Sequence, residues 1–82
     1  MMVVSVCFHG IQRQMTRQKK LQVFLSDGSH VGQVIDHIQK RFPELPLHSE
    51  AILIAVNGCV SATNQELKQE DQISILPHIG GG

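Results

Sequence analysis

One segment has the spacing of an amphipathic helix, and its position limits what the flanking segments can form. Apolar side chains recur there at intervals of three and four, so they share one helical face. These residues are Val31, Val34, Ile35, Ile38 and Phe42. Ser29 precedes them as the expected N-cap and Pro43 ends the segment. An 82-residue chain with one such helix must build the rest of its core from strands.

Strand patterns flank this helix on both sides. Apolar and polar residues alternate over 4–8 and 21–25, as in strands with one buried face. The intervening stretch, Ile11 to Lys20, is rich in Gln, Arg and Lys without a period, which predicts a solvated connection. The first two strands are therefore expected to pair as a hairpin. Lys19 and Lys20 with Arg13 and Arg17 make this connection modestly basic.

The second half of the chain predicts three more strands. Residues 51–56 are apolar throughout, as in a strand covered on both faces. Asn57-Gly58 predicts a tight hairpin turn into a short strand at 59–60. Ile73 and Ile75 alternate with polar residues in a last strand.

This order of elements indicates an α+β protein of the β-grasp (ubiquitin-like) type. The expected core is a mixed sheet of four to five strands with one main helix packed on one face. Residues 1–78 form the predicted domain, and residues 79–82 a flexible glycine-rich C-terminal tail.

Composition excludes several classes of function. Seven basic and seven acidic residues give no net charge, and Tyr and Trp are absent, so nucleic-acid and membrane partners are not expected. Cys7 and Cys59 lie in apolar runs, which predicts buried reduced thiols and a cytoplasmic protein. No C-x-x-C or H-x-x-x-H pair occurs, so no metal site is predicted. No Ser/His/Asp or paired-carboxylate arrangement indicates an enzyme.

The C-terminal sequence PHIGGG is the candidate functional segment. A terminal carboxylate is ionised at neutral pH and can attack the α-phosphate of ATP when a partner supplies the nucleotide. The resulting acyl-adenylate can accept sulfur, lysine or cysteine nucleophiles. Glycine lacks Cβ, so it can pass through a narrow slot in a partner. Terminal glycines are equally typical of a disordered end or an engineered scar.

The sequence resembles the sulfur-carrier family of ubiquitin-like proteins, represented by the molybdopterin synthase small subunit (MoaD) and the thiamine-pathway carrier (ThiS). The resemblance covers nearly the whole chain. It is strongest at Val56-Asn57-Gly58-x-Val60, Leu67, Asp71-x-Ile73-x-Ile75-Leu76-Pro77 and Gly81-Gly82. Ser29 to Ile35 also resembles the start of the family's helix.

The resemblance implies a carrier that acts as a co-substrate and binds no cofactor. Gly82 would be adenylated by a ubiquitin-activating-type enzyme with ATP and then converted to a thiocarboxylate. The residues implied to enter partner active sites are His78, Ile79, Gly80 and Gly81. The sulfur acceptor would be an enzyme such as a molybdopterin synthase large subunit. Open alternatives are a ubiquitin-like protein modifier, a carrier for thiamine synthesis or tRNA thiolation, and a plain interaction module.

Several positions depart from the family pattern. Glu70 stands where the family often has glycine, which predicts a different turn. Gln12, Gln14, Gln69 and His78 are also unusual.

The sheet face that the helix leaves uncovered is the predicted docking surface. Leu53, Ala55 and Val60 are its candidate residues, and the alternative is that they belong to the core.

Overall fold

Five strands form one mixed sheet in a computed structural model that describes residues 1–47 and 52–77. In chain order the elements are β1 (Met2–Phe8), α1 (Ile11–Thr16), β2 (Lys20–Leu25), α2 (Val31–Arg41), β3 (Ile52–Val56), β4 (Cys59–Val60) and β5 (Gln72–Pro77). The strands lie in the order β2-β1-β5-β3-β4. Only β1 and β5 are parallel, and the other neighbours are antiparallel. The predicted β-grasp arrangement is confirmed.

The parallel pairing of β1 and β5 gives the sheet a defined carboxyl end. Phe8, the last residue of β1, lies opposite Ile75, and β5 ends two residues later at Pro77. The antiparallel neighbours begin at this end, since Lys20 pairs with Cys7 and Ile52 pairs with Pro77. We call this edge the carboxyl end of the sheet.

Helix α2 packs on one face of the sheet. Val31, Val34 and Ile38 are completely buried, as their spacing predicts. The strand residues that pack in the same core are Met2, Val4, Val6, Phe8, Val23, Ile52, Ile54, Val56, Ile73 and Ile75. Because alternate residues of a strand face opposite sides, the other face of each strand points away from α2. We call that side the outer face.

Strand β3 is buried mainly on one face, which corrects the prediction of a strand covered on both faces. Ile52 and Ile54 are buried on the α2 side, whereas Leu53 is 40% exposed on the outer face. The continuous apolar run therefore includes two side chains, Leu53 and Ala55, that face away from α2.

The predicted solvated connection from Ile11 to Lys20 contains helix α1, so that prediction is wrong over its first half. Gln12 and Thr16 are the buried residues of α1, and a polar inward face leaves no apolar period in the sequence. The Thr16 hydroxyl donates to the Gln12 carbonyl at 2.9 Å. The helix ends at Arg17, whose φ of 59° is left-handed. The predicted pairing of β1 with β2 is confirmed, although a helix joins them.

The start of α2 differs from the prediction by one residue. His30 is the N-cap, and its backbone N–H donates to the Gln33 side-chain oxygen at 2.7 Å. The Ser29 hydroxyl donates instead to the Ser26 carbonyl at 2.7 Å, and the Ser29 carbonyl accepts from Leu67 N–H at 2.8 Å. Ser29 therefore ties the loop before α2 to the loop before β5.

Glu70 adopts a backbone conformation that glycine adopts readily, and the prediction that its turn differs from that of the family stays a prediction. Its φ is 67°, in the left-handed region. Its backbone N–H donates to the Val3 carbonyl at 2.8 Å, and the Gln69 side chain accepts from Val3 N–H at 2.9 Å. The turn is thus held against β1 while a non-glycine residue occupies a strained position.

Replacing Glu70 with glycine is expected to stabilise the protein. Removing the left-handed strain outweighs the extra backbone entropy of glycine, so Glu70→Gly should raise the free energy of unfolding by about 0.5–1 kcal/mol. Glu70→Ala removes the same carboxylate but keeps Cβ, and it should give no such gain. Urea unfolding measures both variants. A Glu70→Gly protein less stable than the Ala variant would contradict the assigned conformation.

Candidate partner-binding end of the sheet

The predicted tail begins just beyond the described part of the chain. Gly82, the predicted activated residue, and His78, Ile79, Gly80 and Gly81 lie outside the described residues, so their roles stay predictions. The division between a domain at 1–78 and a tail at 79–82 stays a prediction as well. Residues 78–82 follow Pro77 in sequence, and a chain of five residues reaches at most about 17 Å.

Strand β5, which precedes this segment, lies between β1 and β3 near the centre of the sheet. Its residues Ile73 and Ile75 are completely buried. β5 is therefore held by ladders on both sides and by the core beneath it. The described chain therefore ends, at Pro77, in a rigid strand.

A side-chain network fixes the start of β5 to the β3–β4 turn. The Asn57 side-chain amide donates to Asp71 Oδ1 at 2.9 Å, and its oxygen accepts from Gln72 N–H at 2.9 Å. Asp71 Oδ2 accepts from Lys68 N–H at 2.8 Å. Asn57 and Gly58 have φ values of 51° and 87°, which confirms the predicted tight turn. These motif residues thus position β5.

Of the three predicted docking residues, two are exposed and one is buried. Leu53 is 40% exposed and Val60 is 73% exposed, both on the outer face. Ala55, between Ser74 and Val60 in the sheet register, faces the same side but is only 7% exposed, so it offers little surface to a partner. Leu76 lies opposite Leu53 and is half-buried. We call Leu53, Val60 and Leu76 the outer apolar patch.

Leu76 was not among the predicted docking residues, although it falls in the motif. Leu76 lies beside Leu53 because of the antiparallel register of β3 and β5. The sequences of the two strands do not reveal that register. Both residues lie at the carboxyl end of the sheet, since the next pair is Ile52 with Pro77.

The cysteine and histidine side chains form no common site in the described residues. Cys7 is half-buried, but Cys59 is exposed, because its two-residue strand lies at the edge of the sheet. The prediction of a buried Cys59 is therefore wrong. Within residues 1–47 and 52–77, no three His, Cys, Asp or Glu side chains are grouped so as to hold a metal ion. In the same ranges no helix is long and apolar enough to cross a membrane.

The fold and the position of its last strand define a class of protein. A helix packed on a mixed five-stranded sheet with parallel β1 and β5 is the ubiquitin-like β-grasp fold. Residues 6–82 match the sequence model of the ThiS family, so the chain belongs to that family. Its members are sulfur carriers of the MoaD/ThiS type, and the chain is accordingly a carrier rather than an enzyme.

Three relatives illustrate the similarity. A molybdopterin synthase sulfur carrier subunit from Mycobacterium tuberculosis (strain ATCC 25618 / H37Rv) is 26% identical over 83 residues, covering all of both chains. The structure of a molybdopterin converting factor subunit 1 from Pyrococcus furiosus is 26% identical, with a TM-score of 0.85 over 94% of this chain and 98% of that one. The Amycolatopsis orientalis BexX/CysO complex contains a chain that is 27% identical, with a TM-score of 0.68 over 96% and 99% of the two chains.

Asn57 is expected to contribute through both its side chain and its backbone conformation. Asn57→Gly keeps the positive φ but removes the bonds to Asp71 and Gln72, at a cost of about 1–2 kcal/mol in unfolding free energy. Asn57→Ala also imposes left-handed strain and should cost roughly 1 kcal/mol more. Urea unfolding checks the order wild type, Gly, Ala. Equal stability of wild type and the Gly variant would show that the network contributes nothing.

Proposed function

We propose that this chain is the sulfur carrier of molybdopterin synthesis and that its reactive group is the carboxyl of Gly82. The observation that carries this proposal is that the family match extends to residue 82. The last five residues of that match follow β5, a strand held at the centre of the sheet. The full-length similarity to a molybdopterin synthase sulfur carrier subunit supports the choice of pathway.

The proposed reaction begins on a ubiquitin-activating-type enzyme that binds ATP. The Gly82 carboxylate oxygen attacks the α-phosphorus, pyrophosphate leaves, and an acyl-adenylate forms. Hydrosulfide released by a donor then attacks the Gly82 carbonyl carbon, AMP leaves with the carboxylate oxygen, and a thiocarboxylate forms. The thiocarboxylate sulfur finally attacks an electrophilic carbon of the precursor and displaces its leaving group. Water then cleaves the resulting thioester, so the sulfur stays on the precursor and Gly82 returns to a carboxylate. The carrier itself binds neither ATP nor another cofactor in this scheme.

The tail sequence suits entry into partner active sites. Three consecutive glycines carry no Cβ, so a partner can enclose the backbone closely on all sides. His78 and Ile79 would follow them to the mouth of that slot. A cytoplasmic location, where both the activating enzyme and ATP are available, stays part of the proposal.

The outer apolar patch is the proposed docking surface for the sulfur-accepting enzyme, of the kind represented by a molybdopterin synthase large subunit. Leu53 and Leu76 lie next to Pro77, so a partner that binds the tail also covers them. An exposed cluster of this kind on a small domain is typical of an interaction surface. A related carrier-type chain of known structure is part of a two-protein complex.

Mass spectrometry tests the chemical proposal. After incubation with ATP, the activating enzyme and a sulfur donor, the purified chain should gain the mass difference between sulfur and oxygen. A chain whose Gly82 carboxyl is capped as an amide and a chain with one alanine added after Gly82 should gain nothing. Both controls leave residues 1–81 unchanged. If either control fails to gain mass, the cause is therefore the altered C-terminus.

Two results would contradict this chemistry. Conversion of the chain with the amide cap would place the reactive group elsewhere. An unchanged wild-type mass, accompanied by chains linked to lysines of other proteins, would identify a protein modifier instead of a sulfur carrier.

A matched pair of substitutions tests the docking surface. Leu53→Ser should weaken binding to the molybdopterin synthase large subunit about tenfold, since it removes most of one apolar side chain from the interface. Phe24→Ser is the control, because Phe24 is 63% exposed on the same face but lies at the opposite end of the sheet, beside Val3. Calorimetric titration measures both dissociation constants. Equal effects of the two variants would exclude the outer apolar patch as the contact.

A further inference from the structure

The zero net charge of the chain conceals a strong separation of charge. Residues 1–26 contain four basic residues and no acidic one, whereas residues 27–82 contain three basic and all seven acidic residues. The four basic residues of the first segment are Arg13, Arg17, Lys19 and Lys20. The first 26 residues therefore carry a net positive charge that the formal sum over the whole chain hides.

Three of these cations line a concave surface between α1 and the start of β2. The cavity has a volume of about 520 Å³. Its lining residues are Gly10, Arg13, Gln14, Arg17, Gln18 and Lys19. All the side chains of this group are polar, and none is a carboxylate. We call this cavity the basic concavity.

The local fold sets the shape of the basic concavity. Arg13 lies in α1 and Arg17 is the residue that ends it, and both side chains line the cavity. The left-handed conformation of Arg17 ends the helix, and Gln18 N–H then donates to the Thr16 hydroxyl at 3.2 Å. Phe8 N–H donates to the Lys19 carbonyl at 2.9 Å, which ties the returning chain to β1.

No acidic side chain neutralises these cations within residues 1–47 and 52–77. The ion pair found in those ranges joins the N-terminal amine to Asp27 at 3.3 Å. Arg13, Arg17 and Lys19 are all exposed. Their mutual repulsion is a cost to the isolated domain that a negatively charged partner would remove.

The basic concavity lies at the carboxyl end of the sheet, beside the strand that leads to Gly82. Lys19 is bonded to Phe8, and Phe8 lies opposite Ile75 of β5. Two strand spacings of about 5 Å each separate β2 from β5, so the backbone at the start of β2, which follows the basic concavity, is roughly 10 Å across the sheet from β5. Any protein that binds the terminal glycines must approach this end.

We infer that the basic concavity receives acidic side chains at the rim of the active site of the enzyme that adenylates Gly82, an inference that rests on the proposed function. Arginine forks bind carboxylates through two parallel hydrogen bonds. A lone anion in so open a concavity would gain little, because exposed ion pairs contribute about 0–1 kcal/mol. A protein partner excludes water from the contact and supplies several carboxylates together.

The activating enzyme is the partner that gains most from this attraction. Its carrier substrate must bind and leave in every cycle, and charge complementarity speeds association without requiring a long-lived complex. The outer apolar patch is better suited to the sulfur-accepting enzyme, because apolar burial stabilises a complex and is insensitive to salt.

Steady-state kinetics with the adenylating enzyme of the same organism tests this inference. Pyrophosphate release is measured against carrier concentration at low and at physiological salt. The triple variant Arg13→Gln/Arg17→Gln/Lys19→Gln should lose about tenfold in kcat/KM at low salt, with kcat almost unchanged, and most of the salt dependence should disappear. Lys40→Gln/Arg41→Gln/Lys68→Gln removes the same charge elsewhere and should leave kcat/KM within about twofold. Urea unfolding confirms that both variants fold.

The outcomes separate this inference from the proposed function. If the wild-type chain releases pyrophosphate normally and the two triple variants behave alike, the inference is wrong while the proposed function stands. A loss confined to kcat would also overturn it. Salt-sensitive tRNA binding by wild type that only the first variant lacks, with unchanged kinetics, would assign the basic concavity to RNA instead. Absence of pyrophosphate release with wild type would overturn both.

Discussion

The parallel pairing of β1 with β5 is the contact on which the rest of the structure depends. It places the last strand at the centre of the sheet and brings the carboxyl ends of both strands to one edge. Ile73 and Ile75 then lie completely buried beneath α2. Because the final strand is fixed in this way, residues 78–82 are joined to a rigid support. In the proposed function, this support is the fixed point from which the reactive carboxyl of Gly82 would reach a partner.

The carboxyl end of the sheet gathers two surfaces of different chemistry. The outer apolar patch lies on one side of β5, through Leu53 and Leu76, and the basic concavity lies on the other side, beyond β1. In the proposed function, one enzyme activates the carrier and another uses its sulfur. Two unlike surfaces near this end of the sheet would allow the two enzymes to recognise the domain differently.

The sequence predicted the helix and the turn that have strong local patterns. It did not predict features that depend on tertiary packing or on how the strands pair. The spacing of Val31, Val34 and Ile38 predicts α2, and Asn57-Gly58 predicts the β3–β4 turn. Helix α1 was missed because its buried residues are Gln12 and Thr16. The exposure of Cys59 and the burial of Ala55 depend on strand order and register, which local patterns do not contain.

The family of the protein was predictable from the sequence, but the arrangement of the side chains around the candidate site was not. The resemblance over Val56 to Pro77 identified the family, yet the roles of Asn57 and Asp71 in anchoring β5 required the hydrogen-bond geometry. A net charge of zero pointed away from charged partners, because a sum over the whole chain hides the separation between residues 1–26 and the remainder.

The most direct test of the central claim is a single-turnover sulfur transfer from a chain that carries a synthetic thiocarboxylate at Gly82. Mixed with the molybdopterin synthase large subunit and its precursor, without ATP, this chain should deliver its sulfur and return to a carboxylate. Mass spectrometry of the carrier before and after the reaction measures that change. A thiocarboxylate that remains intact while the precursor stays unconverted would contradict the account.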